Sequence, residues 1–156
     1  MERGKLWRTA YKTTLALLER NLEGLTDELA ARRPGPTAAS PAWLLAHVYM
    51  TRKLILKLLD MPQAKEEDLG TDGFRGSDGE TVHVPFSELV KRFRATDGLM
   101  KQAFMGVSDW DRPAKNPGTG QDQPLEGVIA FLHMHESYHI GQIALARKLL
   151  GLPGVM

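Results

Sequence analysis

The sequence predicts an all-α protein, a four-helix bundle with two long connecting loops. Apolar residues recur at helical spacing over four long segments, and proline and glycine gather between those segments. No segment alternates apolar and polar residues for long enough to build a sheet. Four amphipathic helices of about 20 to 29 residues would each bury one face against their neighbours, which is the packing of a helical bundle.

The composition indicates one ordinary globular domain. Of the 156 residues, 42% are hydrophobic and 25% are charged, so we expect a single domain over residues 1–156. The 20 basic and 19 acidic residues are scattered, which argues against a nucleic-acid partner. No apolar run is long enough for a signal peptide or a membrane span, so we expect a cytoplasmic protein without a membrane partner. Cysteine is absent, so any metal must be held by nitrogen or oxygen.

The first two helices are predicted from apolar spacing and capping residues. The first runs from Leu6 to Leu29, and its apolar stripe comprises Leu6, Ala10, Leu17, Leu18, Leu22, Leu25 and Leu29. A Pro-Gly-Pro segment at 34–36 then interrupts the pattern. The second helix opens with Ser40 as N-cap and Pro41 at its first position, and it ends near Leu59.

The second half of the chain reads as loop, helix, loop, helix. A glycine-rich connection at 62–81 precedes a third helix from Phe86 to about Val107. A second connection covers 108–121, and the short alternating stretch at 81–84 is too brief to form a sheet. The fourth helix is predicted to reach Leu150, with Asp122 as its cap and Pro124 in its first turn.

Two histidines share one face of this fourth helix. His135 and His139 are four residues apart, so their side chains project one turn from each other. The same face carries an apolar stripe that must turn into the bundle, comprising Leu125, Val128, Leu132, Ile143, Ala146 and Leu150. Both imidazoles are therefore predicted to point inward.

A third histidine lies on the second helix, where His47 belongs to an apolar stripe with Trp43, Met50, Leu54 and Leu58. This stripe is predicted to face the same core. Three neutral imidazoles in an apolar core are poorly satisfied alone, whereas a divalent cation satisfies one nitrogen of each. We therefore predict a metal site made of His47, His135 and His139, with an open position for water or substrate. The alternative is a packed cluster of core histidines. His133 projects from another side of its helix, and His83 precedes the third helix, so both are expected to stay outside the site.

The stretch His135-Glu136-Ser137-Tyr138-His139 also matches H-E-x-x-H, the zinc metalloprotease signature in which the Glu is the general base. Such enzymes usually take a third ligand from residues after the motif. From Ile140 to the end of the sequence there is no His, Asp, Glu or Tyr. Proteolysis is therefore not the predicted function.

The segment His135 to Gln142 (HESYHIGQ), together with Trp43 to His47 (WLLAH), resembles the DinB/YfiT-like superfamily of metal-dependent enzymes. The resemblance covers nearly the whole chain. It implies a four-helix bundle, often a homodimer, in which the positions of His47, His135 and His139 bind nickel, zinc or a similar divalent ion. Relatives often have a basic residue before the glycine, where this chain has Ile140.

The resemblance also implies two kinds of chemistry on a small-molecule substrate. The first is S-transfer with a low-molecular-weight thiol, whose pKa the metal would lower. The second is hydrolysis by a metal-bound hydroxide. A metal-binding stress protein without turnover is the third possibility. No catalytic residue is assigned, and the candidates are Glu136, Tyr138 and Gln142, with Asp97 and Tyr49 as further candidates for a general base.

Overall fold

Four long helices form the framework of the protein. The computed structural model describes residues 2–61 and 82–155. In these residues the elements are α1 (Glu2–Leu22), α2 (Asp27–Ala31), α3 (Pro41–Leu58), α4 (Phe86–Gly106), β1 (Pro113–Lys115), β2 (Asp122–Pro124) and α5 (Leu125–Leu149). Both α1 and α3 pack against α4 and α5. The predicted all-α, four-helix class is therefore confirmed.

The prediction of one continuous first helix is wrong. α1 ends at Leu22, and Gly24 follows with a φ of 79°, a left-handed conformation that cannot continue a right-handed helix. The chain then starts α2, whose N-cap Thr26 accepts a hydrogen bond from the Leu29 amide at 3.1 Å. Leu6, predicted to be in the apolar stripe, is 62% exposed, because the buried face of α1 instead includes Tyr11, Thr14 and Leu18.

The predicted bounds of the next two long helices are confirmed within one residue. The Ser40 hydroxyl accepts a hydrogen bond from the Trp43 amide at 3.2 Å, and Pro41 begins α3 as expected. α4 begins at Phe86 and ends at Gly106. The predicted connection at 62–81 lies outside the described residues, and residues 82–84 of the alternating stretch form no strand.

The expectation that the second connection holds no strand is wrong. β1 and β2 form an antiparallel hairpin, with Ala114 opposite Gln123. Asn116 shapes its turn, because its side-chain oxygen accepts a hydrogen bond from the Gly118 amide at 2.8 Å. Asp122 lies in β2 and is not the cap of the last helix, which begins at Leu125 without a side-chain cap. Strands of three residues are too short to leave an alternating pattern in the sequence.

A polar layer divides the core. The apolar residues of the bundle form two buried clusters. Each long helix has a buried polar residue between the positions that belong to the two clusters: Thr14 on α1, Arg52 (next to the buried Thr51) on α3, Thr96 on α4 and Glu136 on α5. Arg52 and Glu136 are bonded to each other, and each also contacts one of the threonines. This polar layer ties all four long helices together beside the candidate site.

The close contact between α1 and α4 gives a first prediction. A Cβ at Gly4 would lie 2.3 Å from the backbone oxygen of Phe104, so Gly4→Ala must push the two helices apart. We expect this change to lower the free energy of unfolding by about 1–3 kcal/mol, the usual cost of overpacking. Urea denaturation followed by circular dichroism measures it.

Gly98 on α4 provides the matched control. It is exposed, and no atom lies within 4 Å of a Cβ built there. Because alanine favours a helix over glycine, Gly98→Ala should raise the stability by about 0.5–1 kcal/mol. Equal effects of the two alanine substitutions would contradict the close helix contact at Gly4.

Candidate metal centre

Three imidazoles from two adjacent helices converge at one place. α3 contributes His47, and α5 contributes His135 and His139, which are one turn apart. The Nε2 atom of His135 lies 3.1 Å from the Nε2 of His47 and 3.1 Å from the Nε2 of His139. The possible ligand atoms of all three residues lie within 4.8 Å of one another. The structure thus brings the predicted ligands together, and the bound ion itself stays a prediction.

Burial sets the protonation state of this cluster. His47 is buried, and His135 and His139 are half-buried. Burial lowers the pKa of His135 to about 4, with a further contribution from the nearby His139. Burial also lowers the pKa of His139, against the opposing effect of a hydrogen bond with Gln142. At neutral pH both imidazoles are therefore uncharged, which is the form that binds a metal ion.

Gln142 fixes the orientation of one imidazole. Its side-chain oxygen lies 2.6 Å from His139 Nδ1, so the Nδ1–H donates to the amide oxygen. The Nε2 atom of His139 then carries a lone pair that faces the other two imidazoles. The Gln142 amide group also donates to the Tyr138 hydroxyl at 3.3 Å. A metal-ligating histidine usually has such an outer hydrogen bond.

The donor set fits a divalent cation. A neutral imidazole has one N–H, so His135 Nε2 can donate to only one of its two imidazole neighbours. If Nε2 carries that proton, the buried Nδ1 of His135 is an acceptor, and it has no hydrogen-bond partner in the described part of the chain. A cation among the three Nε2 atoms would accept all three lone pairs. Three nitrogen ligands with a free position suit a divalent transition-metal ion.

Glu136 faces away from this cluster into the polar layer. It is fully buried, and its carboxylate accepts hydrogen bonds from Arg52 Nε at 2.9 Å and Nη2 at 2.7 Å. The Thr14 hydroxyl lies 3.0 Å from the same carboxylate. This placement favours the interhelical ion pair over a general base.

Arg52 was not predicted as the partner of Glu136. A signal was nevertheless present. Arg52 continues a helical stripe with Val48 and Ile55, and Glu136 continues one with Leu132 and Ile140. Opposite charges on two buried stripes predict an ion pair in the core, because neither charge can be buried alone.

The two remaining described histidines lie elsewhere, as expected. His133 packs edge-on against the rings of Trp7 and Tyr11, with centroid distances of 6.1 Å and 4.9 Å. His83 is exposed, in the segment before α4. Neither belongs to the group of possible ligands found among the described residues.

A large cavity lies against the three imidazoles. Its volume is about 910 Å³, and its walls come from α3, α5, the loop at 34–39 and the hairpin turn at Pro117 and Gly118. Gly118 allows the hairpin turn to pack on Phe131, because a Cβ at this position would lie 2.4 Å from that ring. Tyr138 and Gln142 line the cavity, whereas Glu136, Asp97 and Tyr49 are not among its lining residues.

These features define a class of protein, a helical bundle with a three-histidine candidate metal site beside a cavity. The sequence profile of the DinB superfamily matches residues 10–143. The chain therefore belongs to the DinB superfamily.

Comparison with solved structures gives the same fold. A crystal structure described as a conserved protein from Enterococcus faecalis matches with a TM-score of 0.74 and 16% sequence identity, over 94% of this chain and 95% of that one. At this identity the likeness shows the fold alone. No curated protein matches the chain. Among the described residues, no helix combines the length and the apolar character needed to cross a membrane.

Proposed function

We propose that the protein is a metal-dependent enzyme, in which His47, His135 and His139 hold one nickel or zinc ion. A small-molecule substrate would reach the open position of this ion from the cavity. The observation that carries the proposal is the convergence of three imidazole Nε2 atoms at the wall of a cavity of about 910 Å³. Three protein ligands with one open position are typical of catalytic sites, whereas structural sites usually use four.

The reaction that we propose is S-transfer from a low-molecular-weight thiol. A divalent ion would lower the pKa of the thiol, so that its proton is lost to solvent at neutral pH. The sulfur then forms a bond to an electrophilic carbon of a second molecule, and the bond from that carbon to its leaving group breaks. The chain contains no cysteine, so the reacting thiol must come from a substrate.

The lining residues have defined tasks in this scheme. The Gln142 side chain holds His139 with its Nε2 toward the ion. Because the Tyr138 hydroxyl accepts a hydrogen bond from Gln142, its own proton is available to donate to a substrate in the cavity.

Hydrolysis is the alternative, with water in place of the thiol. The same three ligands would serve it, because the ion would lower the pKa of a bound water as it would lower that of a thiol. No carboxylate is among the described residues that line the cavity, so either nucleophile would lose its proton to solvent. The preference for the thiol follows the family resemblance. A metal-binding protein without turnover is the third candidate. The homodimer that the family resemblance implies stays a prediction.

Spectroscopy of the cobalt-loaded protein tests the proposal. Mercaptoethanol should add a sulfur-to-metal charge-transfer band and change the ligand-field bands, because the thiolate occupies the open position. The His135→Ala variant, incubated with the same cobalt and thiol, is the control and should show no such change. If neither thiols nor esters alter the spectrum of the loaded protein, both enzymatic functions fail and metal binding without turnover remains.

A further inference from the structure

The cavity beside the three imidazoles has no charged side chain in its described lining. None of its described lining residues is Asp, Glu, Lys or Arg. In contrast, 25% of the residues of the whole chain are charged. A cavity that receives a carboxylate or a phosphate normally presents an arginine, a lysine or free helix N-terminal amides to it. Trp43 and Leu44 in the first turn of α3 line this cavity, but their amides already donate to Ser40. The described side chains of the lining therefore offer no cationic partner to an anionic group of a substrate.

Polar groups of the lining are concentrated at the imidazole end, and most are already bonded. The Thr51 hydroxyl donates to the backbone oxygen of His47 at 3.0 Å. The Gln142 side chain is bonded to His139 and to Tyr138. The Tyr138 hydroxyl proton thus remains as a donor near the cluster, with Thr37 in the loop as another polar group of the lining.

Apolar side chains line much of the rest, among them Leu54, Phe131, Leu145 and Leu149. At the rim, Leu145 and Leu149 are 58% and 60% exposed, so an approaching molecule meets an apolar surface before it reaches the imidazoles. A volume of about 910 Å³ matches the cavities that bind drug-sized molecules.

Two arginines close in sequence to the lining are directed elsewhere. Arg33 precedes the loop that forms one wall, but its guanidinium donates to the backbone oxygens of Pro36 and Ala38, each at 2.9 Å. Arg147 follows Ala146 of the lining on α5, and it is buried and donates to backbone oxygens at the end of α1. Neither arginine is among the described residues that line the cavity.

We propose that the walls of this cavity beyond the ion position bind an uncharged, largely apolar part of the substrate and discriminate against a carboxylate, phosphate or sulfonate placed against them. The inference rests on the proposed function for the role of that molecule, and on the lining alone for its chemical class. The apolar part would lie along Leu54, Phe131 and Leu145, and a reactive or hydrogen-bonding group would face the imidazoles and Tyr138. Away from the ion position, an anionic group would lose its hydration without gaining a partner from the described walls.

A pair of fluorescent probes tests the chemical class independently of the metal. Phenylnaphthylamine is neutral, and anilinonaphthalenesulfonate is the same molecule with one sulfonate added. We expect the neutral probe to bind the metal-free protein at least about tenfold more tightly, because the sulfonate has no cationic partner in the cavity. Equal affinities, or tighter binding of the sulfonate, would overturn the inference.

Two matched variants locate the effect at the cavity. Leu149→Lys places a cation on the rim and should strengthen binding of the sulfonate probe severalfold, while the neutral probe changes little. Leu6→Lys is the control, because Leu6 is equally exposed at 62% but lies on α1 and does not line the cavity. An equal gain of sulfonate binding in both variants would show that the anion binds the general surface, and it would contradict the inference.

The cobalt spectrum tests the proposed function, and the probe pair tests the chemical class of the substrate, so the two can fail independently. If thiols leave the spectrum of the cobalt-loaded protein unchanged, the proposed chemistry fails, whereas the probe pair still decides the preference for uncharged molecules. If thiols change that spectrum but the sulfonate probe binds as tightly as the neutral one, the chemistry stands and the substrate class is wrong.

Discussion

Replacing His47 with alanine is expected to abolish stoichiometric metal binding, and so is replacing His135 or His139. Each variant removes one of three nitrogen ligands whose Nε2 atoms are neighbours in the cluster. Loss of an outer hydrogen bond to a ligand already weakens metal affinity by about 10–100-fold, so loss of a ligand should weaken it further. Elemental analysis of the purified variants, after equilibration with nickel or zinc, measures the effect.

His133→Ala and His83→Ala are the matched controls. His133 lies on the same helix as two of the ligands but packs against aromatic rings, and His83 is exposed. Both variants should keep one ion per chain. The His47 variant is the decisive one, because it alone reports on a ligand from α3. Full metal content in that variant would show that the α5 pair binds the ion without α3, and the three-histidine site would be wrong.

Glu136→Gln is expected to lower the free energy of unfolding by about 3–5 kcal/mol, because it leaves the charge of Arg52 buried without its partner. Both side chains are almost completely inaccessible, at 1% for Arg52 and 0% for Glu136. Two hydrogen bonds join them, and Arg52 also donates to Thr96. A protein of this size has a total stability of about 5–15 kcal/mol, so the loss is large. Urea denaturation at constant pH measures it.

The exposed pair of Glu19 and Arg94 supplies the matched control. Its side chains are 32% and 55% exposed, and the Arg94 Nε lies 2.8 Å from a Glu19 oxygen. Because water screens this pair, Glu19→Gln should cost at most about 1 kcal/mol. Similar losses for Glu19→Gln and Glu136→Gln would contradict the importance of burial.

A double substitution distinguishes the effect of removing the ion pair from the effect of leaving one buried charge without its partner. Arg52→Met combined with Glu136→Leu removes both charges and should recover most of the stability, as hydrophobic replacements of buried pairs often do. The Thr14 and Thr96 hydroxyls keep the backbone oxygens of Tyr11 and Phe93 as acceptors. If the double variant is as unstable as Glu136→Gln, the cost lies in packing and not in an unpaired charge.

The polar layer has a consequence for the metal site. Glu136 follows His135 directly, and Arg52 lies on the helix that carries His47. The ion pair therefore joins the two helices that carry the three histidines. It fixes how these helices face each other, because two charges in an apolar core have few alternative partners. The ion pair therefore contributes to the candidate metal site by holding α3 and α5, and with them the three histidines, in position.

Much of the fold and of the candidate site follows from local signals in the sequence. Ser40 and Pro41 mark the start of α3, because an N-cap side chain and a fixed proline φ act within one turn. The spacing of His135 and His139 puts both on one face of a helix wherever that helix lies. The apolar stripes then predict that this face turns inward, toward the helix that carries His47.

Other features required the tertiary structure. The break at Gly24 was not predicted, because the apolar spacing continues across it into α2. The hairpin depends on pairing between β1 and β2, and three residues in each strand leave no pattern. The cavity depends on how the loop at 34–39 and the hairpin turn pack against α3 and α5.

The helical class, the start of α3 and the inward face of α5 with its two histidines are predictable from the sequence, since backbone sterics and helical periodicity act over a few residues. The tertiary structure was needed to show that Glu136 pairs with Arg52, and that a cavity without charged side chains in its described lining lies beside the three histidines. These are contacts between residues far apart in the chain. Their partners are set by how whole helices and loops pack.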